Sequence, residues 1–379
     1  MKKTFTTLVL LLTLITATAS YSQVVSTLVP GPSSFDDCLT LDKAGNIFAS
    51  RYMGSNVSKI TRSGVVSIFS SSFNTPNGTA FGPDGYLYVP SNIANGRVNK
   101  VSPAGVVDTF ITSIPYPTTV FFESDTSMLI ATYQSNKIFR AKMNGTYTVA
   151  YQNIPMLNGP VDMEYDLNGN LLIANFGDGK IFRVVNGVFT VIADLPGSLG
   201  FMTITNGYIY ATAYNANRIY RITMNGDTTT FAGTGQGGQL NGPARTATFN
   251  APNGIAASVT GDTLFVSDFN ARSLRMITGV RASVQNISSV VPEKFNLKQN
   301  YPNPFNPSTT IEFDITKKSA VLLEVFDSLG KIITTLVNGE LNTGSYRTEF
   351  NAFGLASGMY FVKLTANGSS LTNKIVLTK

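Results

Sequence analysis

One position of a repeated pattern, returning about every 40 residues, holds Asp37, Asn77, Thr118 or Thr119, Asp162, Met202 and Asn253. Two carboxylates and two amides brought to one point would offer hard oxygen ligands, the donor type that suits Ca²⁺ and, less well, Mg²⁺. The chain contains no histidine. That removes Ser-His-Asp triads, Cys-His dyads and His-ligated zinc, so any metal must be held by oxygen. Asn77 and Asn253 both lie in Pro-Asn-Gly, where an amide also serves as a turn cap bonded to nearby backbone. Asp84, Asp166 and Asp178 sit in Gly-rich hairpin turns and read as structural. The single cysteine, Cys38, excludes an intramolecular disulfide; its alternating apolar setting reads as a buried thiol.

The elements that would position these residues are short strands in a repeat. A turn and an apolar strand, as in Lys43-Ala44-Gly45-Asn46-Ile47-Phe48-Ala49 and Pro83-Asp84-Gly85-Tyr86-Leu87-Tyr88-Val89, return at Met128, Leu171, Ile209 and Leu264. A second strand follows each, for example Val57-Ser58-Lys59-Ile60 and Ile219-Tyr220-Arg221-Ile222, then a third after a Gly turn, with a fourth before each copy. Four alternating strands per unit of about 40 residues is the pattern of a propeller blade, and six units predict a six-bladed β-propeller over 23–279. The sixth unit lacks an outer strand. Val24 to Val29 has the matching pattern and is expected to supply it, leaving no long unpaired edge. The recurring oxygen-bearing position begins the innermost strand, at the mouth of the axial channel. Tyr133, Phe176, Tyr214 and Phe269 follow the second strand of successive blades. They are expected either to pack between blades or to form a sugar- or peptide-binding ring.

The segment Phe231-Ala232-Gly233-Thr234-Gly235, with Asn241-Gly242-Pro243-Ala244, Phe249, Ala251-Pro252-Asn253-Gly254-Ile255-Ala256 and Leu264-Phe265-Val266-Ser267-Asp268 through Arg275, resembles an NHL repeat. The units together also resemble the senescence-marker protein and gluconolactonase family of six-bladed propellers, which bind a divalent cation on the axis. That resemblance implies Asp37, Asn77, Asp162 and Asn253 as metal ligands, with Asp37 in place of a family Glu and Ca²⁺ as the cofactor. It further implies Asp162 as the base of a lactone hydrolysis in which the metal polarises the carbonyl. Two expectations follow: a ligand-binding propeller with a small-molecule, glycan or protein ligand on its face, or a metal-dependent lactonase.

The ends of the chain speak to location. Lys2 and Lys3, the apolar run Leu8 to Ile15 and Ala17-Thr18-Ala19 read as a cleaved leader over 1–22, too short to span a membrane. A Ser/Val-rich connector over 280–296 leads to a last unit, 297–379, whose short alternating strands predict an immunoglobulin-like β-sandwich, so the fold class is all-β throughout. Asn300-Tyr301-Pro302-Asn303-Pro304-Phe305-Asn306-Pro307, Val325-Phe326-Asp327-Ser328-Leu329-Gly330, Leu355-Ala356-Ser357-Gly358-Met359-Tyr360-Phe361 and Lys374-Ile375-Val376-Leu377-Thr378-Lys379 resemble the type A sorting domain of the type IX secretion system. The resemblance implies transit through the periplasm and outer membrane, engagement of that machinery by 297–379, and a secreted or surface-held product. The formal charge of +6 includes two leader lysines and is spread along the chain, which gives no footing to nucleic acid. No later segment is expected to cross a membrane.

Overall fold

The computed structural model describes residues 23–166, 168–280, 284–352 and 355–378. The leader at 1–22 lies outside the described residues. Strands and turns make up the described chain, and no helix in it is long and apolar enough to cross a membrane. Five sheets of four sequential strands and one of five form the six blades of a propeller. Their innermost strands are Leu39–Leu41, Ala80–Phe81, Pro117–Ser124, Pro160–Tyr165, Leu199–Thr205 and Pro252–Ala257. The sixth blade is completed from the other end of the chain: Val24–Val29 runs antiparallel to Ser273–Thr278, with Val24 opposite Thr278 and Val25 opposite Ile277. The ring is therefore closed by backbone pairing in the place where the sixth unit lacked a strand.

Apolar faces meet between blades. Phe48 and Val57 of the first blade pack with Leu87 and Val101 of the second, Tyr88 and Val98 of the second with Ile130 and Phe139 of the third, and Leu129 and Ile138 of the third with Ile173 and Val184 of the fourth. One larger cluster joins the fourth, fifth and sixth blades through Leu172, Ile219 and Leu264, and Phe265 with Ile47 carries the core across the closing seam. Aromatic pairs stand edge to face across these seams, as in Phe48 with Phe81 at 4.9 Å and Phe121 with Tyr165 at 4.9 Å. At the axis the strands come closer than side chains allow. A Cβ on Gly78 would stand 2.7 Å from the Thr118 carbonyl, and one on Gly254 would overlap the Asp37 carbonyl, so the Gly of each Pro-Asn-Gly is required by its neighbour.

The segment that resembled an NHL repeat forms a clamp on the closing blade. Arg275, fully buried, donates to Asp268 at 3.2 Å, to the Thr248 and Leu240 carbonyls at 2.8 and 3.1 Å and to Asn241 at 2.8 Å, with its guanidinium 5.1 Å from the Phe249 ring centre. Arg275 lies on the strand that pairs with Thr27, so this network holds the loop 233–251 against the seam where the termini of the ring meet.

The C-terminal unit is a sandwich of two four-stranded sheets. Its six long strands run from Ser308–Ile315 to Ser369–Leu377. The sandwich begins before 297, because Gln285–Ser288, inside the stretch read as a connector, pairs with Gly344–Asn351. The proline-rich lead-in is tied to the last strand: Phe305 is buried, its N–H donates to the Val376 carbonyl at 2.9 Å, and Thr378 returns a bond to the Phe305 carbonyl at 3.0 Å.

The clamp generates a prediction. Arg275→Met keeps much of the buried volume but strands the Asp268 carboxylate, and it should lower the stability of the propeller by about 3–5 kcal/mol in urea unfolding. A loss below about 1 kcal/mol would show that the network does not hold the seam.

Candidate functional site

A belt of hydrogen bonds runs round the axis and joins every blade to the next. Thr79 N–H donates to Cys38 Sγ at 3.4 Å, Gly78 N–H to the Thr118 carbonyl at 2.6 Å, and Thr118 Oγ1 to the Pro160 carbonyl at 2.8 Å. Met202 N–H donates to Asp162 Oδ2 at 2.9 Å, and Thr212 Oγ1 to the Asn253 carbonyl at 2.5 Å. At the closing seam Asn253 Nδ2 donates to Asp37 Oδ1, and Ser267 Oγ to the Asp37 carbonyl at 2.6 Å. The residues singled out by the repeat are thus first of all the fasteners of the ring.

Above the belt lies a cavity of about 210 Å³, lined by Asp37, Asn77, Thr118, Val161, Phe201 and Asn253 from the innermost strands. Its rim lies within two residues of the end of the second strand of each blade: Tyr52, Asn92, Tyr133, Phe176, Tyr214 and Phe269. Neighbouring rings touch, with centroids 5.9 Å apart for Tyr133 and Phe176, 5.8 Å for Phe176 and Tyr214, 5.5 Å for Tyr214 and Phe269, and 6.4 Å for Phe269 and Tyr52. Asn92 alone breaks the aromatic circle, its Nδ2 donating to the Pro117 carbonyl at 3.2 Å. The four aromatics named from sequence therefore pack across blades and line the cavity at once. Tyr52 and Asn92 were missed, although both stand at the same offset in their units.

Three oxygens on the lining residues lack any hydrogen-bond partner although they are buried: Asp37 Oδ2, Asn77 Oδ1 and Asn253 Oδ1. Their residues are 2%, 6% and 6% exposed. An unpaired buried acceptor costs about 1–3 kcal/mol, and these three belong to residues that line one cavity. Neither amide oxygen caps a turn. Burial, then the nearby Asp36, holds the Asp37 carboxyl well above the ordinary carboxylate range. Asp36 is itself pushed up to about 6 by burial, opposed by the Tyr52 N–H, which it accepts at 2.7 Å, and by Arg51.

Asp162 does not join this set. It lies one residue past the mouth position, which Val161 occupies, and lines a second cavity of about 240 Å³ down the channel with Cys38, Thr79, Thr119, Glu164 and Met202. The register shifts between Pro160 and Asp162, as it does at Pro117/Thr119, Leu199/Met202 and Pro252/Ile255, and the residue directly after the proline, Thr118, Val161 or Asn253, is the one left at the mouth. Met202 follows Asp162 into the channel, while Thr118 stays at the mouth and Thr119 does not. Burial raises the Asp162 carboxyl to about 7, and burial with the Asp162 charge raises Glu164 as well. Among the described residues no three His, Cys, Asp or Glu side chains are grouped to hold a metal. Asp84, Asp166 and Asp178 hold turns, Asp84 with Lys100 at 2.7 Å and Asp166 with Arg183 at 2.8 Å. Cys38 is buried.

Fold and site define a six-bladed propeller with a single aromatic-rimmed mouth, joined to a sorting unit. Residues 13–231, more than half of the chain, match the virginiamycin B lyase family, and the chain belongs to that family. Residues 299–378 match the secretion system C-terminal sorting domain, so the chain carries a type IX sorting unit that engages the secretion machinery, and it is exported to the surface or beyond. No curated protein matches the sequence. An auxiliary nutrient binding protein from Bacteroides ovatus superposes with a TM-score of 0.60 at 15% identity, over 68% of this chain and 76% of its own. A gluconolactonase from Xanthomonas campestris gives 0.54 at 11% identity, over 67% and 89%. The virginiamycin B lyase from Staphylococcus aureus, as a catalytically inactive histidine-to-alanine variant with quinupristin, gives 0.50 at 20% identity, over 66% and 82%. At these identities the shared property is the fold.

The channel carboxyls predict a pH dependence. In the unfolded chain Asp162 releases its proton near its ordinary value of 3.8, whereas the folded protein holds it to about 7. Across that window the unfolded state binds fewer protons, so stability falls as pH rises. Asp162→Asn, which can still accept the Met202 N–H, should melt less steeply with pH between 4 and 7 and be on the order of 1–2 kcal/mol more stable than the parent at pH 8. Parallel pH profiles for the two proteins in denaturant titrations would contradict this assignment.

Proposed function

We propose that this protein is an exported ligand-binding propeller whose small-molecule ligand sits in the mouth cavity, over a floor of oxygens able to hold a cation. The observation that carries the reading is a cavity lined by Asp37, Asn77, Thr118 and Asn253 beneath a rim of five aromatic side chains. An apolar-walled pocket with a few convergent polar groups is the usual form of a small-molecule site. For a divalent cation the donors are of the right type, all oxygen, and Ca²⁺ is the metal they suit best. Asp37, Asn77 and Asn253 would hold it, and a bound cation would supply a positive charge to an anionic or polar ligand group. The rest of a Ca²⁺ shell of six to eight oxygens would come from ligand and water.

Catalytic readings find less support in these residues. The Asp162 carboxyl is one step below the mouth, is tied to the Met202 N–H and keeps its proton to about 7, so it is a poor base for a lactone bound at the rim. The lyase from Staphylococcus aureus is inactive once a single histidine is replaced by alanine, and the present chain contains no histidine at all. Family membership therefore carries over the scaffold, while the chemistry at the mouth is this chain's own.

The reading is tested on the mature protein by thermal-shift titration with CaCl₂, neutral sugars, amino acids and amines, beside a lactone hydrolysis assay. Wild type should gain several degrees with at least one class, Asn253→Leu should lose that gain, and lactone turnover should stay at background. Lactone hydrolysis abolished by Asp162→Asn would replace the binding reading with the enzymatic one.

A further inference from the structure

We propose that the outer face of one sheet of the sorting sandwich is the surface on which a protein of the type IX machinery seats this chain, through an apolar patch with a basic rim. The proposal concerns the sorting unit alone and is independent of what the propeller binds at its mouth.

The patch follows from strand register. The sheet runs in the order Ile332–Leu341, Ser319–Asp327, Gly358–Ala366, Ser369–Leu377. Side chains alternate between its faces, and one set, with Val325, Val362 and Ile375, fills the core. At one end of the sheet the other set is apolar too. Ile332 stands opposite Phe326, Phe326 opposite Phe361, and Met359 opposite Val376. Ile332 and Met359 are 52% and 53% exposed, the other three are half-buried, and none of the five packs into the core. Leu329, 91% exposed, stands on the hairpin between Ser319–Asp327 and Ile332–Leu341. That turn is fixed, because Asp327 Oδ1 accepts the N–H groups of Leu329 and Lys331 at 2.9 Å each and the Gly330 N–H donates to the Asp327 carbonyl at 3.1 Å. A leucine held out on an ordered turn beside an apolar face is the form of an interaction site.

The occupant is indicated by which residues these are. Phe326 and Leu329 belong to Val325-Phe326-Asp327-Ser328-Leu329-Gly330, Met359 and Phe361 to the Leu355 to Phe361 motif, and Val376 to the terminal Lys374 to Lys379 motif. These are the motifs by which the last unit resembles a sorting domain. Packing accounts for their buried members, Val325, Tyr360 and Ile375, and leaves the outward ones without a role in the fold. A sorting unit has to be recognised by the secretion machinery, and its own motifs bring their surplus apolar side chains to one place.

Two further observations describe the partner. The lead-in segment covers the edge of the sheet beside the patch, where Asn303 Oδ1 accepts the Val376 N–H and Gln299 Nε2 donates to the Lys374 carbonyl, both at 2.9 Å. At that edge a partner meets side chains on the face instead of adding a strand. Lys331, next to Ile332, and Lys374, opposite Phe361, are exposed, and among the described residues neither lies in salt-bridge range of a carboxylate. The complementary surface is therefore apolar at its centre and carries carboxylates at its margin.

The test expresses the full chain in a bacterium that has type IX secretion and measures the protein in the periplasm and outside the cell. Leu329→Asp combined with Met359→Asp should lower the exported amount at least about fivefold with accumulation in the periplasm, as expected when charge enters the apolar centre of an interface. The purified double variant should melt within about 2 °C of wild type, because both side chains are exposed. Val188→Asp, at an exposed valine of the propeller, should be exported normally. A photo-crosslinking amino acid at position 329 should join the chain to a protein of the machinery, and the same group at 188 should not. Undiminished export of the double variant would overturn the proposal. A cross-link from 329 to a second copy of this chain, or to no protein at all, would overturn it as well. Should the double variant melt early, Lys374→Glu and the cross-link decide the matter, with a loss of export in the folded Lys374→Glu protein as the expected result.

Discussion

A ring of blades must close, and everything at the working end of this protein follows from how that is done. Backbone pairing of Val24–Val29 with Ser273–Thr278 joins the ends of the ring on its outer side. On the inner side, Asn253 and Ser267 of the last blade hold Asp37 ahead of the first. The same kind of bond crosses every other seam. A propeller held only by apolar contacts between blades would leave the backbone at the axis, where strands converge, without partners. The belt supplies them, and it explains why the mouth positions carry Asp, Asn and Thr.

The belt also decides what is left over. Each fastening residue has more hydrogen-bonding capacity than its seam consumes. Asp37 spends one carboxylate oxygen and its carbonyl, Asn253 its nitrogen and its carbonyl, and both residues also line the cavity. Ring closure and ligand recognition therefore share residues, so the site is held as rigidly as the ring. The aromatic rim is fixed in a similar way, since each ring leans on the ring of a neighbouring blade. Export adds a constraint of another kind: the sorting sandwich has its own buried core of Phe305, Phe313, Val325 and Ile375 among others.

Much of this was legible in the sequence, because a repeat advertises itself. Gly turns, alternating strands and the orphaned sixth unit were enough for the blade number and for the role of Val24 to Val29. Asp37, Asn77 and Asn253 could be aligned because each stands at the start of its unit's inner strand, the two amides directly after a proline. Asp162 was misaligned: as with Asn77, Thr118 and Asn253, the residue directly after the proline takes the mouth, which here is Val161, and Asp162 stands one step on in the channel. Asn92 was invisible as a rim residue because its chemistry differs from that of the rings beside it. The choice between turn cap and ligand donor for the two amides depended on whether their oxygens find a backbone N–H, and that is a property of the assembled ring alone. The segment that resembled an NHL repeat supplies Asn241, Phe249, Asp268 and Arg275 to the clamp on the closing blade.

The central claim is that the residues that close the ring also seat a ligand at the mouth. A high-resolution crystal structure of the purified mature protein tests it most directly. The account predicts one non-protein group in the mouth cavity, within roughly 2.4–3.2 Å of a side-chain oxygen of Asp37, Asn77 or Asn253. It would be contradicted by a collapsed mouth filled by protein side chains.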